Sequence, residues 1–377
     1  MDGGAGAEAY PRQPEELTAG WLTERLRASG ALPEGRVAGF GSEPLHPERG
    51  MTGVLVRLRL TYDGAAPGAP ATLVAKFSSP DPYVRALVHS LGYVEREVRF
   101  YRELAADTPV RTPRCHAAAV DLADGAAVLL LEDLAPADHG DWLDGATVAD
   151  LRLVLDAIAA VHVAWWEDPR IAAEDWLELR GPLSVPHLHD LVDATWPTFL
   201  ARLSVPVTAE IEQAGALLSE HLEAVAGYLL LTPPRTLVHQ DLDGPNLFFP
   251  EADGDRSVAV IDWQAATRGR PAVDVAWLLA GSCVPEQRRA AERELLRGYH
   301  RRLVALGTTG YPFERLWDDY RLALLLPAAR LAGAVGVQVG PRGGFWDVVF
   351  PRYAQAIADL EVGALLAAGD WGPSAAC

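Results

Sequence analysis

Lysine and asparagine are almost missing from this chain, with one of each in 377 residues. Of its 33 strongly basic side chains, 32 are arginine. Wherever a generic positive charge suffices, the sequence uses a guanidinium. The surviving Lys76 therefore marks a position where a compact ammonium on a flexible stem does what a broad planar fork cannot. A-rich codons could be scarce for other reasons, but that would not decide where the survivors sit. Positive charge as a whole is also short, 33 basic groups against 51 acidic ones, for a net charge of -18 and a pI near 4.9. A surface this anionic excludes a nucleic acid as partner, because a phosphate backbone demands a basic patch. Three widely spaced cysteines, Cys115, Cys283 and Cys377, form no CxxC pair. They exclude a disulfide framework and a zinc cluster, and fit a reducing cytoplasm. Residues 1–10 carry neither a basic nor an apolar segment, so no signal peptide is read there. The most apolar stretch, Leu322 to Val335, contains Pro327 and Arg330 and is too short to span a bilayer. It reads as a buried helix, and the expectation is a cytoplasmic protein without a membrane partner.

What is present is enough apolar material, 49% of residues, to bury a large core in two lobes. A loose Gly/Ala/Glu-rich arm leads into a helix around Leu17–Ala28. From Val54 to Tyr62 apolar residues alternate, the period of a half-buried strand. A Pro/Gly-rich turn follows, and Thr72–Phe77 returns with Leu73, Ala75 and Phe77 on one face and Thr72, Val74 and Lys76 on the other. A helix is predicted from Asp81-Pro82 to about Ala106. On it Val94, Glu97, Val98 and Tyr101 form a core-facing stripe, so Glu97 is a carboxylate set among apolar residues. Such a group needs a cation, and Lys76 is the natural one.

The apolar run Val128–Leu131 ends in Glu132-Asp133-Leu134-Ala135-Pro136, a strand entering a linker. Beyond it, helical patterns dominate over Val148–Trp166, Thr208–Leu230, Pro285–Leu306, Phe313–Val335 and Phe350–Ala368. One β-rich island, Leu237–Ile261, interrupts them. The reading is an α+β bilobal chain: a β-rich N-lobe over 1–131, a hinge over 132–136 and a helical C-lobe over 137–377. The cleft between lobes is the expected site.

Chemistry concentrates in the island. The run His239-Gln240-Asp241-Leu242-Asp243-Gly244-Pro245-Asn246 spells H-x-D-x-x-x-x-N, and the apolar strand Val258–Ile261 ends at Asp262. This pattern gathers two carboxylates and an amide carbonyl at neighbouring strand ends, hard oxygen donors of the kind that hold Mg²⁺. Phosphoryl transfer needs clamped phosphates, a held metal ion and an acceptor hydroxyl in line. Asp241 is placed to orient the hydroxyl and accept its proton, with Asn246 and Asp262 on the metal. Gly50-Met51-Thr52-Gly53 is the candidate phosphate-covering loop, since glycine permits close backbone approach; an ordinary turn is the alternative. Asp138, Asp141, Asp144 and Asp150 read as a solvated face more than an ammonium site. The dense tryptophans Trp142, Trp165, Trp166, Trp176 and Trp196 read as core more than pocket. His187-x-His189-Asp190 reads as a loop cluster, not a zinc site.

With these motifs in hand, the chain resembles the aminoglycoside phosphotransferase family and its choline- and ecdysteroid-kinase-like relatives, which share the protein-kinase fold. The likeness runs from about Val37 to Leu279. It implies an ATP- and Mg²⁺-dependent kinase acting on the hydroxyl of a small molecule such as an antibiotic or another secondary metabolite, with GTP as the alternative donor. Choline-like or steroid-like alcohols are alternative acceptors, and a weakly active nucleotide-binding regulator is the alternative class. By the resemblance, Lys76 contacts the α/β-phosphates and pairs with Glu97, and Glu132 to Leu134 form the hinge that reads the base. Asp241 is the catalytic aspartate, Asn246 and Asp262 hold magnesium, and His239 supports the loop. Asp274, in Gly269-Arg270-Pro271-Ala272-Val273-Asp274, braces the catalytic loop, a helix N-cap being the plainer role. The chain departs from the family pattern in three places. Gln240 stands where a small residue is usual, Asp243 where a basic or aromatic one is common, and the glycine loop is degenerate.

Overall fold

The structure, a computed structural model, describes residues 10–45, 53–141, 143–252, 254–336, 345–369 and 371. The alternation over Val54–Tyr62 lies inside a five-stranded antiparallel sheet. Its strands are β1 (Arg36–Pro44), β2 (Gly53–Asp63), β3 (Thr72–Ser78), β4 (Cys115–Val120) and β5 (Ala127–Glu132), ordered β1-β2-β3-β5-β4. On β3, Leu73, Ala75 and Phe77 are buried while Thr72, Val74 and Lys76 are half-buried, as a period of two requires. Helix α1 (Ala19–Ala28) starts where the Thr18 hydroxyl accepts from Trp21 N at 3.1 Å and packs Leu22 and Leu26 into the same core.

The long helix expected after Asp81 is broken. Asp81 caps α2 (Pro82–Ser90) by accepting from Tyr83 N and Val84 N. Gly92, at φ 73°, then ends the run in the left-handed conformation that glycine adopts without cost. Helix α3 (Tyr93–Arg99) restarts and gives way to one π-helical turn over Phe100–Leu104 and a 3-10 turn over Ala105–Asp107. The π turn changes the phase of the stripe: Phe100, Tyr101 and Leu104 are buried, while Val94 is only half-buried. Arg96 is buried beside Glu97, which the stripe did not anticipate.

By its contacts the chain divides into two compact units, residues 1–104 with 113–135 and residues 105–112 with 136–377. Residues 105–112, expected in the first lobe, belong to the second, where Asp107 pairs with Arg170 and Val260 N donates to Arg111 O. The second unit begins with β6 (Asp138–His139) and the helices α4 (Val148–Ala164), α5 (Pro169–Ala172), α6 (Val185–Arg202) and α7 (Ala209–Leu231). Helix α6 has no counterpart in the sequence reading, because Pro186, Pro197 and two histidines blur its period. Then follow β7 (Thr236–Val238), β8 (Leu247–Phe249), β9 (Glu251–Ala252), β10 (Asp255–Arg256), β11 (Ala259–Val260) and β12 (Thr267–Gly269). They pair as β11-β8-β6, β10-β9 and β12-β7, so the island extends past Ile261 to Gly269. Helices α8 (Ala272–Ala276), α9 (Pro285–Ala305), α10 (Phe313–Ala323), α11 (Leu325–Gly336), α12 (Phe345–Asp359) and α13 (Val362–Ala368) complete the unit. The single helices read over Phe313–Val335 and Phe350–Ala368 are each two, the second pair turning at Glu361 with φ 51°. Most of the tryptophans serve as core or packing residues: Trp165 and Trp176 are 1% exposed, and Trp196 stacks against Phe199 and Phe350. Trp142 lies outside the described residues.

Candidate active site

In the first unit, Lys76 rises from the middle of β3, opposite Leu55 on β2 and Leu129 on β5. Its Nζ lies 2.9 Å from Glu97 Oε1 and 2.8 Å from Oε2. The two side chains are 15% and 5% exposed, so the pair is shielded from water and its geometry is held on both sides. The stiff support is the sheet itself, because the alternate residues of β3 are locked in the core. Gly53 opens β2 opposite Ser78, and a Cβ there would stand 2.1 Å from Phe77 O, so close strand packing alone demands glycine. Gly50 lies outside the described residues. At the end of β5, Glu132 N donates to Arg114 O at 2.9 Å and the Glu132 carboxylate accepts from Arg114 N. Asp133 binds Arg57 at 2.7 Å, and that guanidinium holds the Asp133 carboxyl below the usual range despite its burial. Leu134 follows half-buried, one residue before the first unit ends at Ala135.

In the second unit, β7 runs into a loop that owes its shape to Asp274. That side chain is fully buried in the first turn of α8, where Pro271 and not Asp274 holds the capping position. Its two carboxylate oxygens accept from His239 N and Gln240 N, each at 2.8 Å. His162 on α4 adds a third bond to Oδ2 at 3.2 Å, and its other ring nitrogen lies 2.5 Å from the Tyr299 hydroxyl. Asp274 thus braces the loop. Gln240 sits at φ 60° and Asp262 at φ 63°, conformations that non-glycine residues hold only where the surroundings over-determine them.

His239 points its Nε2 at Ile261 O, 2.9 Å away, while its Nδ1 faces Asp241 N at 3.3 Å. A carbonyl only accepts and an amide only donates, so both bonds form together when the proton is on Nε2. One imidazole thereby ties the residue before Asp262 to Asp241. Asn246 closes the loop, its Nδ2 donating to Asp241 O at 2.8 Å and to Asp241 Oδ2 at 3.2 Å. That orientation commits the amide nitrogen and turns Oδ1 into the remaining acceptor. Asp262 lies two residues beyond β11, whose partner β8 begins directly after Asn246.

Charge at this loop is crowded. Burial pushes the Asp241 carboxyl above the usual carboxylate range; Asp262 adds to the shift, and Arg330, His239 and the Asn246 hydrogen bond oppose it. Asp243 is 8% exposed and is pushed well above the usual range, first by burial and then by Asp241 and Asp262. Arg330 escaped the sequence reading as a site residue. The signal for it was an arginine in the otherwise apolar Leu322–Val335 helix, which implies a buried partner. That partner is Gln240 O, at 3.0 Å from Arg330 Nη1. His162 was also missed, since one histidine in a helix carries no motif. The acidic residues after the first unit behave as a solvated face, Asp138 and Asp150 pairing with Arg256 and Asp141 capping a turn. His189 pairs with Asp190 and Asp193, and no cluster of three metal-binding side chains occurs among the described residues.

The profile of the phosphotransferase enzyme family matches residues 62–317, more than half of the chain. The chain belongs to that family. No curated protein matches it. Among solved structures, the choline kinase of Cryptosporidium parvum Iowa II superposes with a TM-score of 0.60 at 9% identity, covering 94% of this chain and 99% of that one. The ethanolamine kinase of Plasmodium vivax gives 0.50 at 11% identity, with 86% and 82% covered. A macrolide 2'-phosphotransferase of Brachybacterium faecium gives 0.47 at 17% identity, with 91% and 98% covered. At these identities the likeness is one of fold, the α+β arrangement of a sheet-bearing N-terminal unit and a helical C-terminal one. No described helix is long and apolar enough to cross a membrane.

Proposed function

We propose that this chain is a kinase that uses ATP and Mg²⁺ to phosphorylate a hydroxyl group of a small molecule. The observation that carries the reading is the Asp241 loop: an aspartate held by Asn246, backed by His239 and braced through Asp274. A part-exposed carboxylate with a raised pKa and a fixed backbone suits a general base that positions a hydroxyl and takes its proton. The Lys76–Glu97 pair supports the nucleotide half of the reading, since a shielded ammonium fixed by a carboxylate is a ready point charge for phosphate oxygens. Backbone groups of Glu132 to Leu134 meet the base, and Gly53 begins the strand that follows the phosphate-covering segment.

The donor set fits magnesium. Asp262 and the Oδ1 of Asn246 are hard oxygen donors, and the repulsion among Asp241, Asp243 and Asp262 marks a locus that gains from a cation. One carboxylate and one amide oxygen agree with Mg²⁺, which takes one or two carboxylates and fills the rest with water and phosphate. Asn246 and Asp262 would hold the ion, and when bound it neutralises charge on the phosphates. The acceptor is a small-molecule alcohol, with antibiotics and other secondary metabolites as the first class and choline-like or steroid-like alcohols as the next. GTP is the alternative donor.

ADP release with MgATP, scored against a panel of macrolides, aminoglycosides, choline, ethanolamine and sterols, tests the reading. Acceptor-dependent release at one member is expected. No release with any member, in protein that MgATP nonetheless stabilises against heat, would leave a nucleotide-binding regulator as the better description. Excess EDTA should abolish most of that stabilisation, about 2.7 kcal/mol at 100 times the dissociation constant.

A further inference from the structure

Helix α11 buries Leu325, Leu326, Ala328, Ala329, Leu331 and Ala332, and Arg330 is the one charged residue in its sequence. A half-buried guanidinium among leucines and alanines is unfavourable unless it meets partners. Its Nη1 donates to Gln240 O at 3.0 Å, and its guanidinium lies 5.4 Å from the centre of the Trp277 ring, within cation–π range. Gln240 O is the carbonyl of the peptide bond that leads into Asp241. Gln240 also holds φ 60°, a conformation that its neighbours must enforce. Asp274 grips the same residue from the other side, accepting from Gln240 N at 2.8 Å. The Gln240 backbone is thus clamped between a carboxylate on α8 and a guanidinium on α11.

Charge gives the arginine a second task. Asp243 N donates to Asp241 O at 3.0 Å, which brings the two acidic residues together, and Asn246 ties Asp241 to the strand pair that leads to Asp262. Burial raises the carboxyls of Asp241 and Asp243, Asp262 adds to both, and in each case the Arg330 charge pulls the other way. We propose that Arg330 is a positioning residue for phosphoryl transfer: it fixes the peptide bond into Asp241 and is the counter-charge to the neighbouring carboxylates before a metal ion arrives. This inference rests on the kinase reading. The two tasks act on metal affinity and on turnover in opposite directions. A fixed positive charge beside the carboxylates repels a divalent cation and holds its affinity below what the carboxylates alone would give. The same group keeps the proposed base in place, so turnover depends on it. A residue that served packing alone would lower both together.

The test compares Arg330→Gln, which keeps a donor amide and loses the charge, and Arg330→Lys, which keeps the charge without the planar fork, with the unaltered full chain. In metal-free protein, hydrogen-exchange mass spectrometry on peptides spanning 238–246 should show exchange about tenfold faster in Arg330→Gln, with Arg330→Lys in between. Mn²⁺ alone, a spectroscopically visible substitute for Mg²⁺, should bind nucleotide-free Arg330→Gln about threefold to tenfold more tightly than the parent, and Arg330→Lys within about twofold of it. With any acceptor found, kcat of Arg330→Gln should fall about tenfold to a hundredfold at near-parent KM, and Arg330→Lys should recover part of the loss. Unchanged exchange over 238–246 would overturn the hold on Asp241. Equal or weaker Mn²⁺ binding by Arg330→Gln would overturn the counter-charge. A kcat loss that vanishes once corrected for the folded fraction would reduce Arg330 to a packing residue. A parent that binds no Mn²⁺ and phosphorylates nothing loses the kinase reading and the counter-charge with it, while the exchange result still decides the hold on Asp241.

Discussion

Asn246 holds Asp241 twice with one amide group, at the backbone carbonyl (2.8 Å) and at carboxylate Oδ2 (3.2 Å). The only asparagine in the chain therefore fixes both the main-chain path and the side-chain rotamer of the proposed base. An aspartate in its place would bring a fourth carboxylate to a locus already crowded by Asp241, Asp243 and Asp262.

Asp241→Asn should lower turnover by a factor of about 10²–10⁴, the range for a positioned general base, with MgATP binding nearly intact. Asp262→Asn should weaken MgATP binding as well. Steady-state kinetics and nucleotide titration on the two variants check the split, and a fully active Asp241→Asn enzyme would remove that residue from the proton-accepting role.

Lys76→Arg should fold normally and lose two to three decades of phosphoryl transfer, about 2.7–4 kcal/mol of transition-state stabilisation. A guanidinium could still pair with Glu97, but β3 is anchored by Leu73, Ala75 and Phe77, so its backbone cannot retreat to fit the larger head. Glu97→Gln should show a smaller loss. Kinetics on variants matched to the parent in melting temperature decide it, and full activity in Lys76→Arg would mean the lone lysine carries no special charge geometry.

Asp274→Asn keeps the volume but offers one acceptor oxygen where His239 N and Gln240 N now use two. One buried donor is orphaned, so stability should fall by about 1–3 kcal/mol in urea unfolding. Turnover should fall with it, because the same amides set the position of Asp241. A mere capping role would cost stability and leave kcat unchanged in the folded protein.

His116 gives a pH-dependent signature in the first unit. Burial, aided by Arg114, lowers its pKa from 6.5 to about 4, while Glu132 pulls the other way. The ring is 8% exposed and lies 2.8 Å from the Ser29 hydroxyl. A depressed folded pKa means the unfolded chain binds the proton first. The stabilisation is therefore complete above pH 6.5 and drains away as pH falls towards 4. The full difference is on the order of 3 kcal/mol. His116→Gln should flatten that part of the stability-against-pH curve between pH 6.5 and 4, and an unchanged slope would show that the ring takes up its proton as readily in the folded chain as in the unfolded one.

The loop from His239 to Asn246 was legible because its chemistry is local. His239, Asp241 and Asn246 fall within eight consecutive residues, and the strand ending at Asp262 follows soon after, so spacing alone brings them near one another. The Lys76–Glu97 pair was legible for a different reason: a carboxylate in an apolar helical stripe requires a cation, and the composition left one lysine to supply it. The helix carrying Glu97 was not legible in detail. Gly92 and the π turn at Phe100 break its period, and a period once broken cannot report which of Arg96 or Val94 faces inward.

By itself, then, the sequence determined the pattern of elements, the alternation that holds Lys76 on β3 and the loop from His239 to Asn246, since these depend on residues close in the chain. Only the tertiary structure decided that Asp274 braces the loop instead of capping its helix. It likewise decided that His162, Arg330 and Tyr299 back that loop from three other helices, and that the amide nitrogen of Gln240 is buried with no hydrogen-bond partner among the described residues. Those relationships join residues 34 to 137 positions apart. No short-range period or spacing encodes them, and they come into being only when burial removes water and obliges each polar group to find its partner inside the protein.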